Sequence, residues 1–384
     1  MSDLGFVIDD LNTRSRRHAL LARTNHKFAI INQKSRLGVT LIELLIAIAI
    51  IATLSAVFLG ASRSAMESAR AARTKTTISK LHTLLMEQYA SYMTRTIDLA
   101  PGFKQSINGL PANVRTAVTQ DMRLLALREQ MKYEMPDHWS DLNDNPVMLF
   151  RKPAVASIYD RRYQKVLNWA NGDSDKLAKV VQHQAAECLY LTIMYLTGDG
   201  EARTLFSSQD IGDTDGDGAP EFLDGWGNPI AWVRWPAGFV ARSSLMAGDT
   251  TTDHDPFDPF KRNLADVLPA GGSAYPLNDV FVRQAVDQLR GTNNSTSNQL
   301  TGFRLVPLIY SSGPDGISDI NTAGNRSIIS SGIALDPYAI DPAFSTLSFS
   351  PTTPNYQTGL PSDGNNDGED NSVDNIHNHV LDNR

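Results

Sequence analysis

One short segment of the chain carries acidic side chains at the spacing of a calcium-binding loop. Its positions 1, 3, 5, 9 and 12 are occupied by Asp213, Asp215, Asp217, Glu221 and Asp224. Gly218 stands at position 6, where a sharp turn is needed, and the carbonyl of Ala219 falls at position 7. Because Ca²⁺ takes about six to eight oxygen ligands, this spacing predicts a calcium site. The alternative is an acidic turn that is solvated at the surface.

The tail of the chain contains a second acidic segment with a similar pattern. Oxygen-bearing side chains occupy its positions 1, 3, 5 and 12: Asp363, Asn365, Asp367 and Asp374. Both segments end in Asp where a helix-flanked calcium loop has a bidentate Glu, and neither has evident helices on both sides. We therefore interpret both as isolated calcium loops, again with a solvated acidic turn as the alternative.

A single carboxylate lies within the longest apolar stretch. Residues 39–62 are uncharged apart from Glu43, and about 20 apolar residues allow a helix to span a bilayer. A carboxylate in lipid costs several kcal/mol unless it is neutralised or paired. A cut after Gly38 would create a cationic amino terminus at Val39. Within one subunit the two charges cannot both be well satisfied, whereas Glu43 can meet the Val39 amine of a staggered neighbour. We therefore expect this pair to set the register of stacked helices.

The residues around Glu43 resemble the processing signal of the type IV pilin and type II secretion pseudopilin family. That signal is a basic leader followed by Gly, a hydrophobic residue, Thr, Leu, an aliphatic residue and Glu. The chain reads Lys34-Ser-Arg-Leu-Gly38-Val-Thr-Leu-Ile-Glu43. The resemblance implies that a prepilin peptidase cuts after Gly38 and methylates the amine of Val39. In the family, Phe or Met often stands where this chain has Val39, and a leader of 38 residues is long.

For the whole chain, the resemblance implies a noncatalytic structural subunit of a type II secretion pseudopilus or a type IV pilus-like filament. Its implied partners are prepilin peptidase, the assembly platform of the machinery, and other pilin-like subunits in a homo- or hetero-polymer. Basic residues precede the apolar stretch, which predicts a single pass through the bacterial cytoplasmic membrane, a cytoplasmic N-terminus and an exported head. The alternatives are a minor tip subunit or adhesin-type binding module, a plain membrane-anchored ectodomain, and a membrane-anchored hydrolase.

Two later segments resemble the head of the major pseudopilin of type II secretion. They are Trp226-Gly-Asn-Pro, which precedes a predicted strand at 230–235, and Ser312-Gly-Pro-Asp-Gly316, which follows another at 305–310. In that family the late loop helps to hold calcium. The resemblance therefore implies two further ligands, Asp315 and Asp319.

The elements that must position these residues are mostly helical in the first half of the chain. Beyond the apolar stretch, apolar residues recur at spacings of three and four: Ile78, Leu81, Leu85, Tyr89 and Tyr92. This periodicity predicts one helix from Val39 to about Arg95, and similar patterns predict helices at 112–130 and 176–196. The fold class is therefore predicted to be α+β. We expect a long N-terminal hydrophobic helix packed on an antiparallel β-sheet head, with a helical insertion and calcium-type loops.

The sequence suggests five segments. They are a removed leader at 1–38, a transmembrane and assembly helix at 39–62, its amphipathic continuation at 63–100, a helical insertion at 101–200 and an acidic β-rich head at 201–384. Residues 199–384 contain 25 acidic and 10 basic residues, a net charge of −15. This charge argues against nucleic acid as a partner.

Several residues are given a structural interpretation. Cys188, the single cysteine, is expected to be a buried apolar side chain. His377 and His379 are expected to be solvated, and Trp226, Trp232 and Trp235 are expected to pack on a sheet. The sequence has no phosphate-binding glycine loop with Lys, no zinc-protease helix motif and no nucleophile elbow. We therefore predict no enzymatic activity.

Overall fold

The structure is a computed structural model of the 384-residue chain. The residues that it describes are 38–109, 112–143, 145–146, 148–196, 202–249, 251–260, 302–322, 337–338, 358–362 and 367–380. The chain divides into two compact units, with the boundary between Gly60 and Ala61.

The first helix, α1, spans Leu41–Ser91 and is followed by a 3₁₀ turn at Tyr92–Thr94. This confirms the long helix predicted from Val39 to about Arg95. Up to Gly60 all its side chains are exposed. Within the described part of the chain, α1 with its 3₁₀ extension is the one helix long and apolar enough to cross a membrane.

The later part of α1 buries one face. Ile78, Leu81, Leu85 and Tyr89 are all 4% exposed or less, and they occupy the predicted apolar stripe. The turn after Asp224 packs closely on this helix. The backbone amide of Gly225 donates to Thr74 Oγ1 at 2.8 Å. A Cβ atom at Gly225 would lie 2.4 Å from a backbone oxygen of α1, so only glycine fits here.

Six further helices follow within the described residues. They are α2 (Pro101–Asn108), α3 (Ala112–Glu134), α4 (Ser140–Asn143), α5 (Ala156–Ala170), α6 (Ser174–Leu191) and α7 (Ala202–Leu205). Local chemistry explains the break between α5 and α6. Asn171 closes α5 in the left-handed conformation, and the carboxylate of Asp173 caps α6 by accepting from the amides of Asp175 and Lys176. A π-helical turn at Thr192–Leu196 continues α6, so the predicted helix at 176–196 is present.

In the part of the chain that the structure describes, five short strands form two antiparallel sheets. In the first sheet β1 (Ile211–Gly212) pairs with β2 (Glu221–Phe222). The second sheet has the order β3 (Ala231–Val233), β4 (Leu308–Ser311), β5 (Ile376–His377). Its register places Trp232 opposite Ile309 and Tyr310 opposite His377. The two predicted strands are present, although each is shorter than its sequence pattern.

One hydrophobic core joins the helices and the second sheet. Buried side chains of α1, α3 and α6 belong to the same cluster as Trp232 of β3 and Ile309 of β4. In addition, α6 packs against β2 and β3. Burying a large apolar side chain contributes about 1.5–3 kcal/mol, so this shared core stabilises helices and sheet together. The predicted α+β class is confirmed.

A buried ionic network connects Arg234, the residue that follows β3, to α4 and to the segment between α3 and α4. The guanidinium of Arg234 is 2% exposed, and its Nη1 donates to Asp141 Oδ2 at 3.0 Å and to the carbonyl of Met135 at 2.7 Å. The backbone amide of Arg234 donates to Asp137 Oδ2 at 3.0 Å. The guanidinium also lies 4.3 Å from the ring centre of Trp235. These contacts hold the segment that follows β3 against α4 and the end of α3.

The expectation that the tail histidines are solvated is wrong. His379 is fully buried, with Nδ1 2.6 Å from Ser243 Oγ and Nε2 3.2 Å from the carbonyl of Pro307. His377 is half-buried, with its ring edge-on to Phe239. Pairing of β5 with β4 draws this part of the tail into the protein.

The other structural expectations can also be compared with the structure. Cys188 is buried, as predicted. Trp232 and Trp235 lie in the core that includes the second sheet. Trp226 does not follow the prediction of sheet packing. Its Nε1 donates to Glu67 Oε2 of α1 at 2.7 Å.

Candidate functional site

The start of α1 holds the carboxylate that the sequence places near a processing point. The amide and the hydroxyl of Thr40 both donate to Glu43 Oε2, at 2.9 and 3.0 Å. In return, the amide of Glu43 donates to Thr40 Oγ1 at 3.3 Å. This reciprocal arrangement is a capping box, which satisfies backbone groups that the first turn of a helix leaves unpaired. Glu43 Oε1 has no hydrogen bond within the described part of the chain.

The two residues on either side of the predicted cut lie just before this cap. Gly38 and Val39 are both exposed and precede the first helical residue. A Cβ atom at Gly38 would meet nothing within 4 Å, and its φ does not require glycine. The fold therefore does not explain why glycine stands at position 38.

The first acidic segment forms a tight loop between β1 and β2. The two carboxylate oxygens of Asp213 accept from the amides of Gly216, at 2.8 Å, and Gly218, at 3.0 Å. Asp215 Oδ1 accepts from the amide of Asp217 at 3.2 Å. Gly216 and Gly218 have φ values of 81° and 90°, a conformation that favours glycine. Asp213, Asp215 and Asp217 bring carboxylate oxygens within 4.8 Å of one another.

Glu221, the first residue of β2, faces this loop. Its Oε2 and Oε1 accept from the amide and the hydroxyl of Thr214, both at 3.1 Å. His183 Nδ1 of α6 lies 3.7 Å from Glu221 Oε1. Burial lowers the pKa of His183, so this imidazole carries little positive charge at neutral pH. The side chain of Glu221 is fully buried.

The structure adds a residue that the sequence interpretation did not include. Glu187 of α6 is fully buried, and a carboxylate oxygen lies within 4.8 Å of oxygens of Asp215 and Glu221. Trp139 Nε1 donates to Glu187 Oε2. Among the described residues, the buried oxygens Glu187 Oε1, Asp215 Oδ2 and Asp217 Oδ2 accept no hydrogen bond when the three carboxyl groups are ionised. A proton on Glu187 would join its side chain to that of Asp217.

Crowding and burial raise the pKa values of the carboxyl groups in this cluster. Burial, reinforced by the charges of Asp217, Asp215 and Glu221, raises the pKa of Glu187 to about 10. Burial also raises the pKa of Glu221 to about 7 and that of Asp217 to about 6. Carboxylate oxygens in this density are suited to a hard cation.

Asp224, which the sequence predicts as the ligand at position 12 of the loop, lies outside the carboxylate cluster. Its Oδ1 accepts from the amides of Trp226 and Asn228, both at 2.8 Å, and its Oδ2 accepts from Ser311 Oγ at 2.6 Å. It belongs to neither group of converging carboxylates. Asp224 thus holds the turn before β3 and links it to β4.

The tail segment is only partly described. Asp363 and Asn365 lie outside the described residues, while Asp367 and Asp374 lie within them. The side chain of Asn371 donates to Asp367 Oδ2 at 3.2 Å and to Asp319 Oδ2 at 3.1 Å. Two acidic segments that are distant in sequence are therefore adjacent in space.

The late loop keeps one of its acidic side chains close to its own backbone. Asp315 Oδ1 accepts from the amide of Ile317 at 2.9 Å.

The late loop also acts on the tail segment. Burial, and secondly the negative charge of Asp315, raise the pKa of Asp374. Asp319 adopts a φ of 46°, which is uncommon for a residue other than glycine.

The sequence does contain signals for Thr40 and Glu187, the two residues of these sites that the sequence analysis does not name. Thr40 and Glu43 have the Thr-x-x-Glu spacing of a capping box. Glu187 lies on the face of α6 that also carries Val180, Cys188 and Leu191, all of them buried. An acidic residue on an apolar helix face is a candidate for a specific interaction.

Comparison with known proteins supports the N-terminal assignment. Residues 33–59 match the family described as "Prokaryotic N-terminal methylation motif". The matched residues include Gly38, Val39 and Glu43. No curated protein and no solved structure gave a significant match. The chain carries a prepilin-type methylation motif at its N-terminal helix, which is consistent with the type IV pilin and pseudopilin family and supports processing by prepilin peptidase.

Proposed function

We propose that the chain is a structural subunit of a type II secretion pseudopilus or a type IV pilus-like filament. Prepilin peptidase removes the leader after Gly38, and the subunits polymerise through α1. The match of residues 33–59 to the methylation motif is the observation that carries this proposal. The exported remainder of the chain decorates the filament.

The surface of α1 supports this function. The side chains of Leu44, Ile48, Ile51 and Leu54 are between 55% and 64% exposed, on a helix with one acidic residue in its first turn. Apolar side chains at this density require lipid or the matching helices of neighbouring subunits. The helix can occupy the membrane before assembly and the interior of a filament afterwards.

The chemistry of Glu43 explains how the subunits would find their register. Cleavage creates an amine at Val39, one residue from Thr40, which binds Glu43 through Oε2. Oε1 remains available to the amine of a neighbouring subunit. A subunit in the wrong register would leave an ion unpaired in an apolar environment, at a cost of several kcal/mol. Selection by charge therefore acts after insertion into the membrane.

Two substitutions of Glu43 separate helix capping from charge pairing. Glutamine can replace glutamate in a capping box but has no charge. We expect Glu43→Gln and Glu43→Ala to be inserted and cleaved normally, and both to be depleted from sheared filaments compared with the wild type. Immunoblots of filament and membrane fractions measure this ratio. Normal incorporation of Glu43→Gln would show that capping alone explains the glutamate.

A further inference from the structure

A second site, separate from the polymerising helix, is formed by carboxylates that come from three different elements. Glu187 belongs to α6, Asp215 to the loop after β1, and Glu221 to β2. Each offers an oxygen within 4.8 Å of the others. Ligands placed about 2.3–2.6 Å from one calcium ion lie at most about 5 Å apart, so the three oxygens can share a single ion.

Unpaired oxygens point to a ligand that is not part of the chain. Glu187 is fully buried, and Oε1 has no hydrogen-bond partner among the described residues. The same holds for Asp215 Oδ2, whereas the side chain of Asp217 can hydrogen-bond to Glu187 only when Glu187 carries a proton. An unpaired buried acceptor is costly, and a buried anion costs more. Several such oxygens together therefore require a positive partner or protons.

Among the described residues, no basic side chain forms an ion pair with Glu187, Asp215 or Asp217. The carboxylates of Asp215 and Glu221 instead bring oxygens within 4.8 Å of an oxygen of Glu187. His183 contacts Glu221, with Nδ1 3.7 Å from Oε1. Trp139 contributes a neutral N–H group to Glu187 Oε2.

We propose that a divalent cation with the oxygen preference of Ca²⁺ binds between α6 and the 213–221 loop, with Glu187, Asp215 and Glu221 as ligands. Asp217 lies beside Glu187 and completes the acidic wall of the site. Glu187 supplies the last carboxylate ligand, a role that the sequence analysis assigns to Asp224 at position 12 of the loop. The ion would fasten the helical part of the chain to the first sheet, which makes it a structural ion.

Calcium binding to the full chain in detergent tests this site. After removal of divalent ions, isothermal titration calorimetry with Ca²⁺ and thermal unfolding with and without Ca²⁺ are measured for the wild type and three variants. Glu187→Gln and Asp215→Asn each remove one proposed ligand charge. Asp224→Asn is the matched control, since it alters an Asp of the same segment that lies outside the cluster.

We expect Ca²⁺ to raise the melting temperature of the wild type, and we expect Asp224→Asn to retain this binding event. Glu187→Gln and Asp215→Asn should each weaken it about tenfold or more. Without calcium, Glu187→Gln should unfold no earlier than the wild type, because glutamine keeps an oxygen that accepts from Trp139 Nε1 and takes one acidic group out of the cluster. If Glu187→Gln does not fold, Asp215→Asn, at a more exposed position, decides the result. Absence of calcium binding to the wild type, or wild-type affinity in either ligand variant, would overturn the proposal.

Discussion

Thr40 and Glu43 hydrogen-bond to each other in both directions at the first turn of α1. The carboxylate is therefore oriented by its own helix before any neighbouring subunit is present. Its position close to Val39 places it at the level where cleavage would create a positive charge. A side chain held in this way loses little further conformational freedom when it meets an amine from another subunit.

Thr40→Val tests the orienting contact without changing charge. Loss of a helix cap costs about 0.5–2 kcal/mol, which should fray the first turn of α1 without unfolding the rest of the chain. We expect a moderate loss of filament incorporation, smaller than that of Glu43→Ala. Quantitative immunoblots of sheared filaments measure both. A larger defect in Thr40→Val than in Glu43→Ala would make capping the dominant role.

Gly38→Val tests the processing point. The open space at Gly38 means that this substitution does not disturb the described fold. We expect the precursor to keep its leader, which slower migration on a denaturing gel reveals. Gly60→Val is a matched control, because space is also open there and it lies outside the residues matched to the motif. Processing of Gly38→Val at the wild-type rate would argue against peptidase recognition of this glycine.

Asp137→Ala tests the buried ionic network. Removing this carboxylate leaves the guanidinium of Arg234 partly uncompensated in a buried position, which costs about 3–5 kcal/mol. Urea unfolding should show this loss. Asp253→Ala removes the partner of Arg304, whose side chain is 47% exposed, and should cost about 1 kcal/mol or less. Equal losses in the two variants would contradict a special role for the buried network.

The two tail histidines, His379 fully buried and His377 half-buried, predict a loss of stability in mild acid. Burial lowers the pKa of His379 and of His377 to about 4 from the usual 6.5. Between these values the unfolded chain binds more protons than the folded chain, so stability present above pH 6.5 is lost as the pH falls towards 4. His379→Gln should flatten this part of the stability curve relative to the wild type. Parallel curves from unfolding experiments at several pH values would contradict the assignment.

The sequence predicts local features of this chain well. The stripe from Ile78 to Tyr92 determines α1 because helical periodicity depends on residues three and four apart. The neighbours that decide this helix lie within one or two turns.

Features that depend on distant pairing were predicted poorly. Asp224 has the spacing of a calcium ligand, but hydrogen bonds from the Trp226 amide and from Ser311 of β4 hold its carboxylate elsewhere. Glu187 reaches the loop only because α6 packs against β2. His379 is buried because the tail joins β4. None of these contacts follows from the spacing of residues along the chain.

The most direct measurement is mass spectrometry of the N-terminal peptide of the mature chain, purified from cells that contain the native processing machinery. We predict that the chain begins at Val39 and that its amine carries a methyl group. A chain that still begins upstream of Gly38 in those cells would contradict processing and, with it, assembly through the new amino terminus.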